Sequence, residues 1–189
     1  MSFKDEGDMV FLLGTPSPLM GEGRGEGLGG SEYLELVHGL VKGKPTIDLN
    51  LEKRVQQCCL EAIKRGIVKS AHDCSEGGLA VAIAESCVTG NIGFRGEDWK
   101  VVGRLDSAFF GEHQSRIVVT ISLNSITKLN RIARRWQVPL TRLGKVGGKR
   151  LVVEGMLATR AMECRSNLID LPLAKVEKAW RYGLKRSSQ

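Results

Sequence analysis

Apolar and polar positions along this chain alternate between strand-like and helix-like spacing. Met9 to Leu13 is a short apolar run closed by Gly14 and predicts a strand. Ser31 can cap a short helix through His38, with Tyr33, Leu34 and Val37 to one side and Gly39 at its end. Residues 45–49 form a connector. Leu51, Val55, Cys58, Cys59, Ala62 and Ile63 then recur at helical spacing, and Gly66 closes that helix. Ile67 to His72 predicts a strand. Leu79 to Val88 is apolar nearly all round and predicts a buried helix that stops at Thr89-Gly90-Asn91.

The second half continues in the same way. A strand is expected around residues 92–105, and a turn or short helix near Leu105 to Gly111. Arg116 to Ile121 is a strand rich in β-branched residues. Ile126, Leu129, Ile132 and Ala133 mark an amphipathic helix over 125–136 with a basic outer face. Leu140 to Val146, Gly147-Gly148 and Arg150 to Val153 read as a hairpin turned on the glycines. Asn167 to Leu171 predicts a short last strand, and 172–184 a last helix. The expected fold class is α+β, a mixed β-sheet packed with helices. Residues 1–8 are read as an N-terminal tail, 9–184 as one domain and 185–189 as a C-terminal tail. Within the domain, Pro16-Ser17-Pro18 and the Gly/Glu/Arg stretch to residue 27 read as a flexible Gly-rich insertion over 15–27. Glu22 and Glu26 would repel phosphate, which argues against a phosphate loop there.

Chemistry concentrates in Ser70-Ala71-His72-Asp73-Cys74-Ser75-Glu76-Gly77-Gly78-Leu79, a strand end, polar turn, two glycines and helix start. Glycines let backbone come close to a ligand, and the first helical N–H groups favour an anion. Asp73, Ser75, Gly77 and Gly78 are therefore the candidate phosphate- or nucleotide-binding residues. The competing reading is an ordinary strand–turn–helix capped by Asp73 or Ser75. No Gly-Lys-Ser/Thr follows, so this is not a Walker loop. On this reading Gly77→Asp should block an anion while sparing the fold. His72 could serve as an acid/base and Asp73 as a metal ligand, and a histidine at a strand end is more often structural.

Composition narrows the classes. The 189 residues allow one domain, and 42% are apolar, as in an ordinary globular protein. No apolar run approaches the roughly 20 residues of a membrane span. The acidic first eight residues lack a signal-peptide core, so the expected location is cytoplasmic, with no membrane partner. Five cysteines lack Cys-x-x-Cys spacing and are read as buried reduced thiols, with no metal site. The net charge of +7 invites nucleic acid, but aromatics are only 5% and base-stacking platforms are scarce. The charge is assigned to solvated helix faces, or to a surface for an anionic substrate or acidic partner, and not to nucleic acid.

Several motifs in order resemble one family. They are Leu12-Leu13-Gly14, Leu28-Gly29-Gly30-Ser31-Glu32-Tyr33-Leu34, the Ser70–Ala80 segment, Phe110-Gly111-Glu112-His113-Gln114-Ser115-Arg116, Gly144-Lys145-Val146-Gly147-Gly148 and Leu168-Ile169-Asp170-Leu171-Pro172 with Trp180. From about residue 9 to 184 the chain resembles the C-terminal domain of phosphoribosylformylglycinamidine synthase, in the aminoimidazole ribonucleotide synthetase superfamily. Residues 15–27 depart as an insertion, and His113 stands where the family tends to serine.

The resemblance implies part of an ATP-dependent carbon–nitrogen ligase that amidates formylglycinamide ribonucleotide in purine biosynthesis. ATP and Mg2+ serve the complete enzyme, with neither expected to bind this chain tightly alone. The implied partners are the remaining synthetase domains, a glutaminase subunit and a small accessory subunit. The resemblance covers only the last quarter or so of a family member, so no catalytic residue is assigned here and the isolated chain is expected to be inactive. Glu112, His113 and Gln114 fall at the pseudo-symmetric counterpart of a substrate-contacting segment. The alternative function is a non-catalytic binding or scaffold module that keeps the fold.

Overall fold

Strand β1 (Met9–Gly14) is an inner strand of a seven-stranded sheet of order β2-β4-β1-β5-β3-β6-β7. The others are β2 (Val68–Asp73), β3 (Phe94–Val102), β4 (Arg116–Ile121), β5 (Leu140–Val146), β6 (Arg150–Ala158) and β7 (Glu163–Pro172). The helices are α1 (Glu32–His38), α2 (Leu49–Lys64), α3 (Gly78–Gly90), α4 (Leu105–Phe110), α5 (Ile126–Arg135) and α6 (Leu173–Tyr182). This computed structural model describes residues 1–14, 28–44, 46–102, 104–158 and 163–183. The proposed insertion over 15–27 and the C-terminal tail over 185–189 lie outside the described residues.

All six positions of β1 are buried, because helices cover both faces of the sheet there. Val10 and Leu12 join Val118, Phe94, Leu143 and the apolar side of α3 in one core. Met9, Phe11 and Leu13 point the other way and join Val119, Ile121, α2 and α5 in a second core. Period-2 alternation thus serves two cores at once. The mixed α+β sheet expected from the sequence is the one observed.

Most boundaries agree within a residue or two. Ser31 caps α1 by accepting from the Leu34 N–H, and Gly39 and Asn91 end α1 and α3 in the left-handed region. Arg131, Arg134 and Arg135 occupy the exposed side of α5, as its pattern predicts. Ile63, placed on the apolar stripe of α2, is exposed instead.

Three expectations are corrected. First, β5 and β6 are not a hairpin, because β3 lies between them, antiparallel to β5 and parallel to β6. Residues 147–149 step across the start of β3, where Gly93 N–H donates to Gly148 O and Gly147 N–H donates to Gly93 O, both at 2.8 Å. A Cβ on Gly93 would sit 2.3 Å from Arg150 O, so only glycine passes beneath this crossing. Second, β7 spans ten residues and pairs with β6 along its length. Third, residues 1–8 are not a loose tail. Phe3 is buried in the α3-side core, and Phe3 N–H donates to Ser86 O.

Leu12 is fully buried in the shared strand, whereas Leu60 on α2 is 46% exposed. Leu12→Ala is expected to cost about 2–5 kcal/mol, and Leu60→Ala under about 0.5 kcal/mol. Urea unfolding of the two variants checks this.

Candidate functional site

At one end of the sheet β1 and β2 finish and β4 begins. Cys74 N–H donates to Arg116 O at 3.0 Å and closes the β2–β4 ladder. The chain then turns through Ser75 and Glu76, and Gly78 N–H donates to Ser75 O at 3.1 Å as α3 starts. This turn, the Glu112–Ile117 segment and the first turns of α2 enclose a cleft of about 480 Å³. Asp73, Ser75, Glu112 and Gln114 all line it.

The two glycines have a packing reason. Gly77 is left-handed at φ +75°, and a Cβ there would lie 2.4 Å from Val81 Cγ2. Gly78 is also left-handed, and its Cβ would lie 2.6 Å from Gly111 O. The start of α3 is pressed onto the end of α4, closer than any side chain permits. A side chain at Gly77 would press on Val81 in a left-handed position, so Gly77→Asp is expected to strain the turn as well as bar an anion and does not isolate anion binding.

Glu112 joins the pieces. Its Oε1 accepts from Gly77 N–H at 2.8 Å and from Glu32 N–H at 3.0 Å. One carboxylate thereby ties the Gly-Gly turn to the start of α1. The backbone donor expected to meet a phosphate already holds an anion, supplied by the chain itself.

Beneath Glu112 lies Arg116, only 2% exposed. Its guanidinium donates through Nη2 to Gly111 O and through Nε to His113 O at 3.3 Å. Its Nη1 is buried without a partner, and burial pulls its pKa down. The buried cation thus fixes both carbonyls that flank Glu112. His113 is half-buried with Nε2 unpartnered. Burial, and secondly the Arg116 charge, hold its pKa below the usual value.

Asp73 is mostly exposed and accepts from the Ser75 hydroxyl, which leads the causes that lower its pKa. His72 Nε2 pairs with Glu85 Oε2 at 2.8 Å, and Nδ1 lies 3.6 Å from Asp73 Oδ1. Both ring nitrogens thus face carboxylates of the same domain. Burial raises the Cys74 thiol to about 11, so it stays protonated at neutral pH. Cys58, Cys59, Cys74 and Cys87 are free and buried, as read from their spacing.

Sequence reasoning missed Glu52 and Ser115. The Ser115 hydroxyl donates to Glu52 Oε2 at 2.6 Å, linking α2 to the segment before β4. Ser115 itself is left-handed at φ +61°, a strained position that no spacing rule marks. Lys145, Lys149 and Arg150 line a different cleft, with Arg95 and Arg142. Among the described residues no group of three His, Cys, Asp or Glu could hold a metal ion. No helix among them is long and apolar enough to cross a membrane.

The fold is that of a sheet-and-helix domain found also in solved structures of Thermotoga maritima PurL and of a thiamine-monophosphate kinase. The family described as "AIR synthase related protein, C-terminal domain" matches residues 5–155, and the chain belongs to it. The Thermomicrobium roseum phosphoribosylformylglycinamidine synthase subunit PurL is 44% identical over 192 aligned positions, spanning all of this chain but 23% of that protein. The subunit of the same name from Caldanaerobacter subterraneus is 39% identical over 98% of this chain and 23% of its own length. A solved structure of Thermotoga maritima PurL complexed with FGAR superposes with TM-score 0.71 at 18% identity, over 93% of this chain and 29% of that one. This chain spans about a quarter of the length of the relatives it matches.

Two outcomes test the site's internal wiring. Glu112→Ala strands two backbone N–H groups and should cost about 1–3 kcal/mol in urea unfolding, with Glu112→Gln costing less because it keeps an acceptor. The depressed native pKa of His113 means that the unfolded chain binds its proton first. Stability should fall as pH drops below 6.5 towards the native value, and His113→Leu should remove that component of the fall.

Proposed function

We propose that this chain is the C-terminal-type domain of a phosphoribosylformylglycinamidine synthase. In that role it forms one wall of the cleft where formylglycinamide ribonucleotide is amidated at the expense of ATP. The observation that carries the reading is the 44% identity to a subunit of that name along the whole chain. The remaining synthetase domains are the first partners. A glutaminase and a small accessory subunit are the further ones, in keeping with a Thermotoga maritima assembly described as PurLQS.

The residues present do not make a triphosphate cradle by themselves. Gly77 N–H is held by Glu112, Gly78 is packed against Gly111, and Asp73 and Glu76 put carboxylates at the turn. ATP and magnesium are therefore assigned to the remaining synthetase domains, where they would supply the activation of the amide oxygen. This chain's own groups bind and orient. Ser75 and Gln114 offer a hydroxyl and an amide to the cleft, and Arg116 holds the Gly111–Gln114 segment in place. A phosphate-bearing ligand at Asp73, Ser75, Gly77 and Gly78 competes with the Glu112 carboxylate for Gly77 N–H. That same occupied N–H favours a second reading, a scaffold module whose loop is closed to anions.

A chimera separates the two. This chain replaces the matched segment of the Thermomicrobium roseum subunit, and synthetase turnover is measured with ATP, Mg2+ and ammonia. Under the synthetase reading the chimera turns over, the isolated chain does not, and Gln114→Ala with Ser75→Ala lowers the rate at least about tenfold. A folded chimera whose rate is untouched by both substitutions supports the scaffold.

A further inference from the structure

Residues 35–44 and 46–50 form an arm that the domain leaves uncovered. Every residue of this stretch is exposed. It nevertheless carries Leu36 (80% exposed), Val37, Leu40, Val41 (76%), Ile47 and Leu49 (71%). Helix α1 has no buried residue, and at seven residues it is far too short to hold itself in water.

What holds the arm is a set of anchors at its root. Ser31 caps α1, Glu112 accepts from Glu32 N–H, and Tyr33 stacks on Phe110 at 4.8 Å. Gly30 N–H donates to Lys42 O at 2.8 Å where the chain returns. A Cβ on Gly43 would lie 2.3 Å from Gly29 Cα, so the two ends of the arm are pressed together as glycines only. The root is built with care, and the tip presents apolar side chains to solvent. Beside the root, Tyr33 also lines an apolar cleft of about 440 Å³ with Leu105, Phe109, Leu168 and Ile169. Tyr33 is thus common to the root of the arm and to this cleft, which Arg104 and Asp106 also line. Exposed apolar surface of this extent marks a docking site.

We infer that the arm is the seat of the remaining synthetase polypeptide, which covers Leu36, Val37, Leu40 and Val41 with apolar side chains of its own. This rests on the synthetase reading. The relatives matched along the whole of this chain devote only 23% of their length to it, so most of their mass lies elsewhere and must contact this domain somewhere. The arm's position selects the face. Glu112 bridges α1 and the Gly-Gly turn, so a body seated on the arm also abuts the cleft of Asp73, Ser75 and Gln114. Docking there closes the open side of the candidate site and brings the missing groups to it. A second copy of this chain would cover the arm but add no new chemistry to the cleft.

Hydrogen–deuterium exchange is compared between the isolated 189-residue chain and the chimera with the Thermomicrobium roseum subunit. Amides of residues 35–41 should exchange at least about tenfold more slowly in the chimera. Leu36→Lys with Val41→Lys should abolish that protection and lower turnover, while leaving the melting temperature of the isolated chain unchanged. Equal exchange in the two contexts overturns the proposal. An active chimera with unprotected 35–41 overturns the docking and keeps the synthetase reading. A protected arm in an inactive chimera keeps the docking and counts against the reading. Sedimentation of the isolated chain as a dimer that Leu36→Lys dissociates would assign the arm to a second copy and overturn it.

Discussion

Two hydrophobic cores in this domain are separated by a single layer of backbone, and strands β1 and β4 are that layer. Val10, Leu12 and Val118 face α3, while Met9, Phe11, Leu13, Val119 and Ile121 face α2 and α5. A strand in this position cannot slip by one residue without exchanging the contents of the two cores. Both faces being apolar, the hydrophobic pattern alone leaves register under-determined. The register is set instead at the end, where Gly14 pairs with Arg116 and a Cβ on Gly14 would fall 1.7 Å from Ser115 O. Packing at the candidate site is thus also what aligns the central strands.

That coupling explains why the site is built from backbone more than from side chains. Gly111 O is the meeting point. It accepts from Arg116, and it blocks any Cβ at Gly78. Burying a guanidinium with only carbonyl partners is costly, and leaving Nη1 unpaired adds to the cost. The return is positional. Arg116 holds the segment that aims Glu112, and Glu112 joins α1 to α3. A chain that needed only stability would place an apolar residue at 116. A chain that must present Glu112, Gln114 and Ser75 in fixed relation to one cleft gains from the cation.

Much of the fold was legible because it rests on local rules. The apolar run 9–13, the Ser31 cap, the Gly39 and Asn91 stops and the stripe on α5 each report their own neighbourhood. Pairing was not legible in the same way. Gly147-Gly148 between two apolar runs satisfies every hairpin rule, yet β3 occupies the place between them because Phe94 is drawn into the α3-side core. Phe3 shows the same limit at the other end. Its acidic neighbours suggest a tail, and the side chain is buried all the same. At the site, the Asp73–Gly78 turn and Glu112 were both marked, but their contact spans 35 residues and no spacing rule predicts it. Glycines that look made for a ligand have packing reasons here, Gly78 against the end of α4 and Gly77 against Val81.

The arm and the site are best understood together. A seven-residue helix with no fully buried side chain is held to its domain only at its root, where Tyr33 stacks on Phe110. Its shape is nonetheless specified at both ends, by Ser31 and Glu112 at one and by Gly29 against Gly43 at the other. Specification without burial makes sense when burial is completed by another surface, because preorganising the arm lowers the ordering cost of that contact. Glu112 then has two tasks with one oxygen. It fixes where the arm leaves the domain, and it occupies the Gly77 N–H at the cleft. Any ligand that draws Glu112 away from Gly77 also loosens the root of α1, so cleft occupancy and arm geometry are linked through a single carboxylate.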